Sequence, residues 1–85
     1  MAKPTAQKRN AARTPEQAFG DALRQLRRKV GISQEALADA AGYHRTYIGQ
    51  LERGEKSPSL RTVFDICTTL KVKPSILIRA TEQGC

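Results

Sequence analysis

Arg45, Thr46, Gln50 and Arg53 are the residues of this chain whose types and spacing carry recognisable chemistry. If residues 45 to 53 are helical and Ile48 and Leu51 face inward, a step of 100° per residue turns Thr46, Gly49, Gln50 and Arg53 to the opposite side, with Arg45 flanking the N-terminal end. An arginine can grip a guanine edge with two hydrogen bonds, a glutamine can pair with an adenine edge, and a threonine methyl can meet a thymine methyl. The outward face holds no acidic residue, whereas a merely solvated helix mixes both charge signs. Gly49 sits on that face at a helix-propensity cost of about 1 kcal/mol relative to alanine. No packing reason is visible for it; close approach of its backbone to a nucleic-acid groove and a neutral substitution both fit.

The stretch that presents this face, Ser33 to Gly54, reads SQEALADAAGYHRTYIGQLERG. Leu37, Ala38 and Ala41 lie at helical spacing before Gly42, and Ile48 and Leu51 resume it afterwards, so two short helices face one another across a turn. Gly42 suits a left-handed residue just past a helix end. Ala36, Ala38, Ala40 and Ala41 keep the first of the two helices thin and let the axes approach closely. Ser33 caps that helix, and its first turn, with Gln34 and Glu35, presents outward amides to which a phosphate is the natural ligand. His44 falls at the cap of the next helix in place of the usual Ser, Thr or Asp, and a DNA phosphate would compensate. Tyr43, just before it, is placed to pack on Ile48 as a hydrophobic staple.

These residues carry a resemblance. S-Q-E-x-L-A-x-x-A-G, then T-Y-I, L-E-R-G and P-S-L, resembles the helix-turn-helix family of phage repressor and Cro proteins, the XRE-type regulators. Within that family, RTYI followed by ERG is similar to the controller proteins of restriction-modification systems. The likeness runs from about Phe19 to Leu77. It implies a lambda-repressor-like DNA-binding domain, a backbone or first-base contact by Gln34, and a partly buried ion pair between Arg27 and Glu52 that joins the first helix to the third. Both residues border apolar stripes, where an unpaired charge is costly. The Tyr47 hydroxyl reaches a phosphate if it behaves as in the controller proteins; core packing is the equal alternative.

The remaining chain must hold this motif. Thr14-Pro15-Glu16-Gln17 is a helix start with a capping box, and Phe19, Leu23, Leu26 and Val30 form the buried face of a helix that Gly31 ends. After Gly54 a polar loop, Glu55 to Pro58, supplies Lys56 and Ser57 as further candidates for the DNA backbone. Ser59 caps a fourth helix with an inward stripe of Leu60, Val63, Ile66, Cys67 and Leu70, and Phe64 at its margin. Pro74 opens a short fifth helix with Ile76, Leu77 and Ile78. Three consecutive branched residues exceed what one core face can hide, so Phe64 and Ile76 to Arg79 are read as a dimer surface. The sum is an all-α five-helix bundle over residues 14–80, flanked by a basic, disordered arm over residues 1–13 and a frayed tail over 81–85.

Composition bounds the function. Eighty-five residues with 39% apolar content make one small domain without room for a deep active-site cavity. A net charge of +7 favours a polyanionic partner. Lys3, Lys8, Arg9 and Arg13 in the arm add nonspecific attraction whether the arm tracks a minor groove or is a solvated tail. Cys67, Cys85 and one histidine do not complete a zinc site, so no metal or cofactor is expected and both thiols are read as free. No apolar run is long enough for a signal peptide or a membrane span, and a cytoplasmic protein is expected. No nucleophile or carboxylate pair comes with a suitably placed histidine, which argues against an enzyme.

The expectation is a sequence-specific transcriptional regulator that docks the third helix of each subunit of a homodimer into successive major grooves of a palindromic operator. Arg45, Thr46 and Gln50 would read bases, and Gln34, His44, Tyr47, Arg53 and Lys56 would hold the backbone. Occupying a promoter would block or recruit RNA polymerase. The alternative is an antitoxin-type interaction protein that masks a partner toxin, with DNA binding secondary.

Overall fold

A computed structural model describes residues 13–85. Among them are five helices and no strand: α1 Pro15–Val30, α2 Gln34–Ala41, α3 Arg45–Glu52, α4 Leu60–Leu70 and α5 Pro74–Gly84. The expected arm over residues 1–13 falls, except for Arg13, outside the described residues.

Four of the five helices begin where the sequence supplies a side-chain acceptor for the free amides; α5 follows Lys73, which makes no cap hydrogen bond, and starts instead on Pro74. Thr14 and Gln17 form a reciprocal capping box at α1, with Gln17 N donating to Thr14 Oγ1 and Thr14 N to Gln17 Oε1, each at 3.0 Å. Ser33 and Ser59 accept from Ala36 N and Thr62 N in the same way. The ends are equally local. Gly42 takes φ 85° and donates to Ala38 O at 2.9 Å, which closes α2 and starts the turn of the motif.

α1 spans the back of the bundle and packs along α5 and across α3, while α2 lies against α3 and α4. Leu23, Leu37, Ile48, Leu51, Ile66, Cys67 and Leu77 are fully buried where these helices meet. Together they place one residue of every helix, or more, in a single core. Gly20 explains how α3 comes so near to α1: a Cβ there would lie 2.7 Å from the carbonyl carbon of Glu52, so only glycine lets the end of α3 rest on the helix behind it.

Four expectations are corrected. Leu77 is fully buried and not part of any surface. Residues one apart differ by 100° around a helix, so Leu77 points into the core while Ile76 and Ile78 straddle it, 47% and 48% exposed. Val30 and Leu60 leave the buried stripes: Val30 is the last residue of α1, and Leu60 is the first of α4 and 75% exposed on the rim of a shallow apolar groove with Phe19 and Ile78. The segment expected to fray after Ala80 is helical to Gly84. Thr81 donates its hydroxyl to Leu77 O at 2.9 Å, and Arg13, assigned to a disordered arm, donates from Nε to Gly84 O at 3.1 Å. Arg13 also meets Asp21, a carboxylate shared with Arg24 and Gln25 and held below the usual carboxylate range first by the Arg24 hydrogen bond.

Candidate nucleic-acid interface

The outward side of α3 is open. Arg45 and Thr46 are exposed and Gln50 is half-buried at its edge. Gln34, from the first turn of α2, joins Arg45, Thr46, Gly49 and Arg53 around a shallow polar hollow on that side. His44 caps α3 itself: its Nδ1 accepts from Thr46 N at 3.0 Å. The imidazole therefore does the work that Ser or Thr usually does, and no phosphate is needed to satisfy that amide. With Nδ1 committed as acceptor, the neutral ring carries its proton on Nε2, at an exposed helix N-terminus where a donor suits an anion.

The inward side is tied to three other helices. Arg27 of α1 donates from Nε and Nη2 to the two carboxylate oxygens of Glu52, at 2.6 and 3.0 Å, and from Nη1 to Ile32 O at 3.0 Å. Hydrogen bonding to Glu52 raises the Arg27 guanidinium further above its ordinary range, against the opposing effect of burial. Gln34 donates its amide to the same carboxylate at 3.0 Å. Glu52, the acidic residue within α3, is thus turned away from the outer face and satisfied by two helices.

Two tyrosines complete the mounting. Tyr43 donates its hydroxyl to Asp65 Oδ2 at 2.7 Å, so it braces the turn against α4 as well as packing on the core. The Tyr47 hydroxyl lies 3.3 Å from Thr62 Oγ1, and the two rings lean together with centroids 5.3 Å apart. This is the packing alternative for Tyr47, with the hydroxyl directed at α4.

Three details depart from the sequence expectation. Gly49 is buried: a Cβ there would lie 3.1 Å from Arg53 Nη1 and 3.6 Å from Gln34 Oε1, so the glycine makes room for two side chains of the protein itself. Gln34 is engaged inward through its amide nitrogen, which leaves its carbonyl oxygen as the group nearest the hollow. Arg53, at the C-cap of α3, is held by Glu55, with Nε 2.7 Å from Oε2 and Nη2 3.3 Å from Oε1. Lys56 is exposed in the same loop. Asp65, Thr62 and Glu55 were missed because each acts through a partner on another element or across a turn. Only the Arg-Gly-Glu spacing after α3 hinted at one of them.

The exposed apolar side chains Phe64, Ile76 and Ile78 lie on α4 and α5, with Arg79 exposed beside them. Among the described residues no group of three or more His, Cys, Asp or Glu side chains is placed to hold a metal, and no helix is long and apolar enough to cross a membrane.

A helix-turn-helix family pattern matches residues 23–77. The control protein C.BamHI of Bacillus amyloliquefaciens is 42% identical over 67 residues, which cover 78% of this chain and 83% of that protein. The control protein C.SmaI of Serratia marcescens is 39% identical over 66 residues, 73% of this chain and 79% of that one. Among solved structures, the restriction-modification controller protein C.AhdI from Aeromonas hydrophila superposes with a TM-score of 0.72 at 40% identity, covering 73% of this chain and 90% of its own. The clp gene regulator ClgR from C. glutamicum does so with 0.83 at 26% identity, covering 86% and 94%.

Proposed function

The chain belongs to the helix-turn-helix family of DNA-binding transcriptional regulators, XRE-type, and from that premise we propose that it binds a palindromic operator in the cytoplasm as a homodimer, with α3 of each subunit in the major groove. The observation that carries this reading is the disposition of charge on α3. Arg45, Thr46 and Gln50 stand on the solvent side, while Glu52, which would repel phosphates there, is turned onto Arg27. Within α3 no carboxylate faces outward to repel phosphates, and the face offers base edges three different donor or methyl groups.

Gln34, His44 and Lys56 flank α3 at both ends and are assigned to the DNA backbone. Arg53 joins them at the C-terminal end. A single recognition helix reads only a few base pairs, so a two-fold axis doubles the site and sets half-sites about 34 Å apart. Phe64, Ile76, Ile78 and Arg79, exposed on α4 and α5, are assigned to that axis.

Selection of bound duplexes from a random pool, with the protein's mass in solution measured alongside, tests the reading. A palindrome and a dimeric mass are expected. Arg45→Ala and Gln50→Ala should each relax preference at one base position by about 1–3 kcal/mol, whereas Lys56→Ala should weaken all duplexes alike and flatten the salt slope by about 0.9. Equal binding of every base variant by both alanine variants would remove α3 as the reader.

A further inference from the structure

Arg53 sits at the end of α3 on the side that faces the hollow, yet its charge is not free. The side-on edge of its guanidinium, Nε and Nη2, is occupied by both oxygens of Glu55. The end-on edge, Nη1 with the second Nη2 proton, lies over Gly49 and beside Gln34. Among the described residues Nη1 has no hydrogen-bond partner. Glu55 and Arg53 raise and lower one another's proton affinity in the expected sense: the guanidinium is held above its ordinary range and the carboxyl below its own, each first by the hydrogen bond between them.

The pair does nothing visible for the core. Its side chains are 56% and 51% exposed, and among the described residues Glu55 forms no other ion pair. A surface pair of this kind contributes little to folding because water competes for both partners. Its consequence falls instead on ligands. An arginine with both edges open can take a phosphate in either of two bidentate orientations. One whose side-on edge is blocked by a carboxylate can be approached only end-on, in one direction, and the carboxylate itself repels misplaced phosphates.

We propose that Glu55 is a specificity-determining residue: by holding the side-on edge of Arg53 it confines that arginine to end-on contact and penalises generic phosphate binding, so that discrimination against unselected DNA depends on it. The inference rests on the DNA-binding reading above and adds to it a residue of the wrong charge for a DNA contact. The selectivity follows from what each duplex asks of Arg53. A selected site supplies an acceptor in the one permitted direction; an unselected one supplies phosphates wherever they fall, and these the carboxylate opposes.

The test measures Glu55→Gln against two probes, the duplex selected from the random pool and a scrambled duplex of the same length and composition. Glu55→Gln is expected to keep the wild-type melting temperature and to bind the scrambled duplex more tightly. It should also lose about threefold more affinity for that duplex between 50 and 200 mM salt, the loss expected for one added phosphate contact. The ratio of selected to scrambled affinity should fall. In an Arg53→Ala background the same substitution should leave that ratio unchanged, because the effect acts through the arginine. An unchanged ratio in Glu55→Gln, or an equal fall with and without Arg53, overturns the inference while leaving the regulator reading intact. A wild-type protein that prefers no duplex removes that reading and this inference with it.

Discussion

Arg27 and Glu52, twenty-five residues apart, close a two-pronged ion pair between α1 and α3 in which the glutamate side chain is 1% exposed. The pair orients α3 by its inner side, through the one acidic residue that helix contains.

Breaking that pair should be severe. Arg27→Met leaves the Glu52 carboxylate buried with only the Gln34 amide, and a loss of about 3–5 kcal/mol is expected in urea denaturation. Pairing Arg27→Met with Glu52→Leu should recover most of it, since removing both charges also removes the desolvation that each suffers. A cost below about 1 kcal/mol for the single variant would show that the pair is effectively solvated.

Two helical glycines should respond in opposite directions to alanine. At Gly20 the added methyl meets the backbone of Leu51 and Glu52, which cannot yield without shifting α3, so Gly20→Ala should lower the melting temperature or prevent folding. At Gly49 the nearest obstacle is the flexible end of Arg53, and the gain in helix propensity is up to about 1 kcal/mol. Gly49→Ala should therefore melt at the same temperature or up to roughly 4–8 °C higher. Thermal unfolding followed by circular dichroism separates the two.

Ile76 and Leu77 are neighbours with different duties. Leu77→Ala empties a fully buried site and should cost about 2–5 kcal/mol. Ile76→Asp alters a half-exposed site and should leave the fold intact while reducing the solution mass to that of a monomer, measured by light scattering. A dimeric Ile76→Asp protein would move the two-fold axis elsewhere.

The two thiols should differ in reactivity. Cys67 is fully buried in α4 and burial pushes its thiol up, which disfavours the reactive thiolate, whereas Cys85 is half-buried at the end of the described chain. Alkylation of the native protein should label Cys85 first, with Cys67 labelled only on unfolding, as read by peptide mass. Equal rates would mean that α4 opens locally without global unfolding.

The local features were legible from residue order alone. Thr14, Ser33, Ser59, Gly31 and Gly42 mark helix ends because capping and left-handed turns depend on residues three or four apart. The apolar stripes gave the inward side of α3, and with it the outward position of Arg45, Thr46 and Gln50. Lys71 shows where that legibility stops: it ends α4 at φ 60° although nothing about a lysine announces a left-handed residue.

What residue order determined about this protein is therefore the succession of five helices and the inward stripe of each, though not the fate of Val30 and Leu60 at helix ends. What only the tertiary structure decided is which group meets a given side chain: Gly49 beneath Arg53 and Gln34, Tyr43 on Asp65, Leu77 in the core between two exposed isoleucines, Glu55 across the guanidinium of Arg53. Helical periodicity is a property of a few neighbouring residues, whereas these contacts depend on how whole helices cross and on where a loop returns, which no short window of sequence contains.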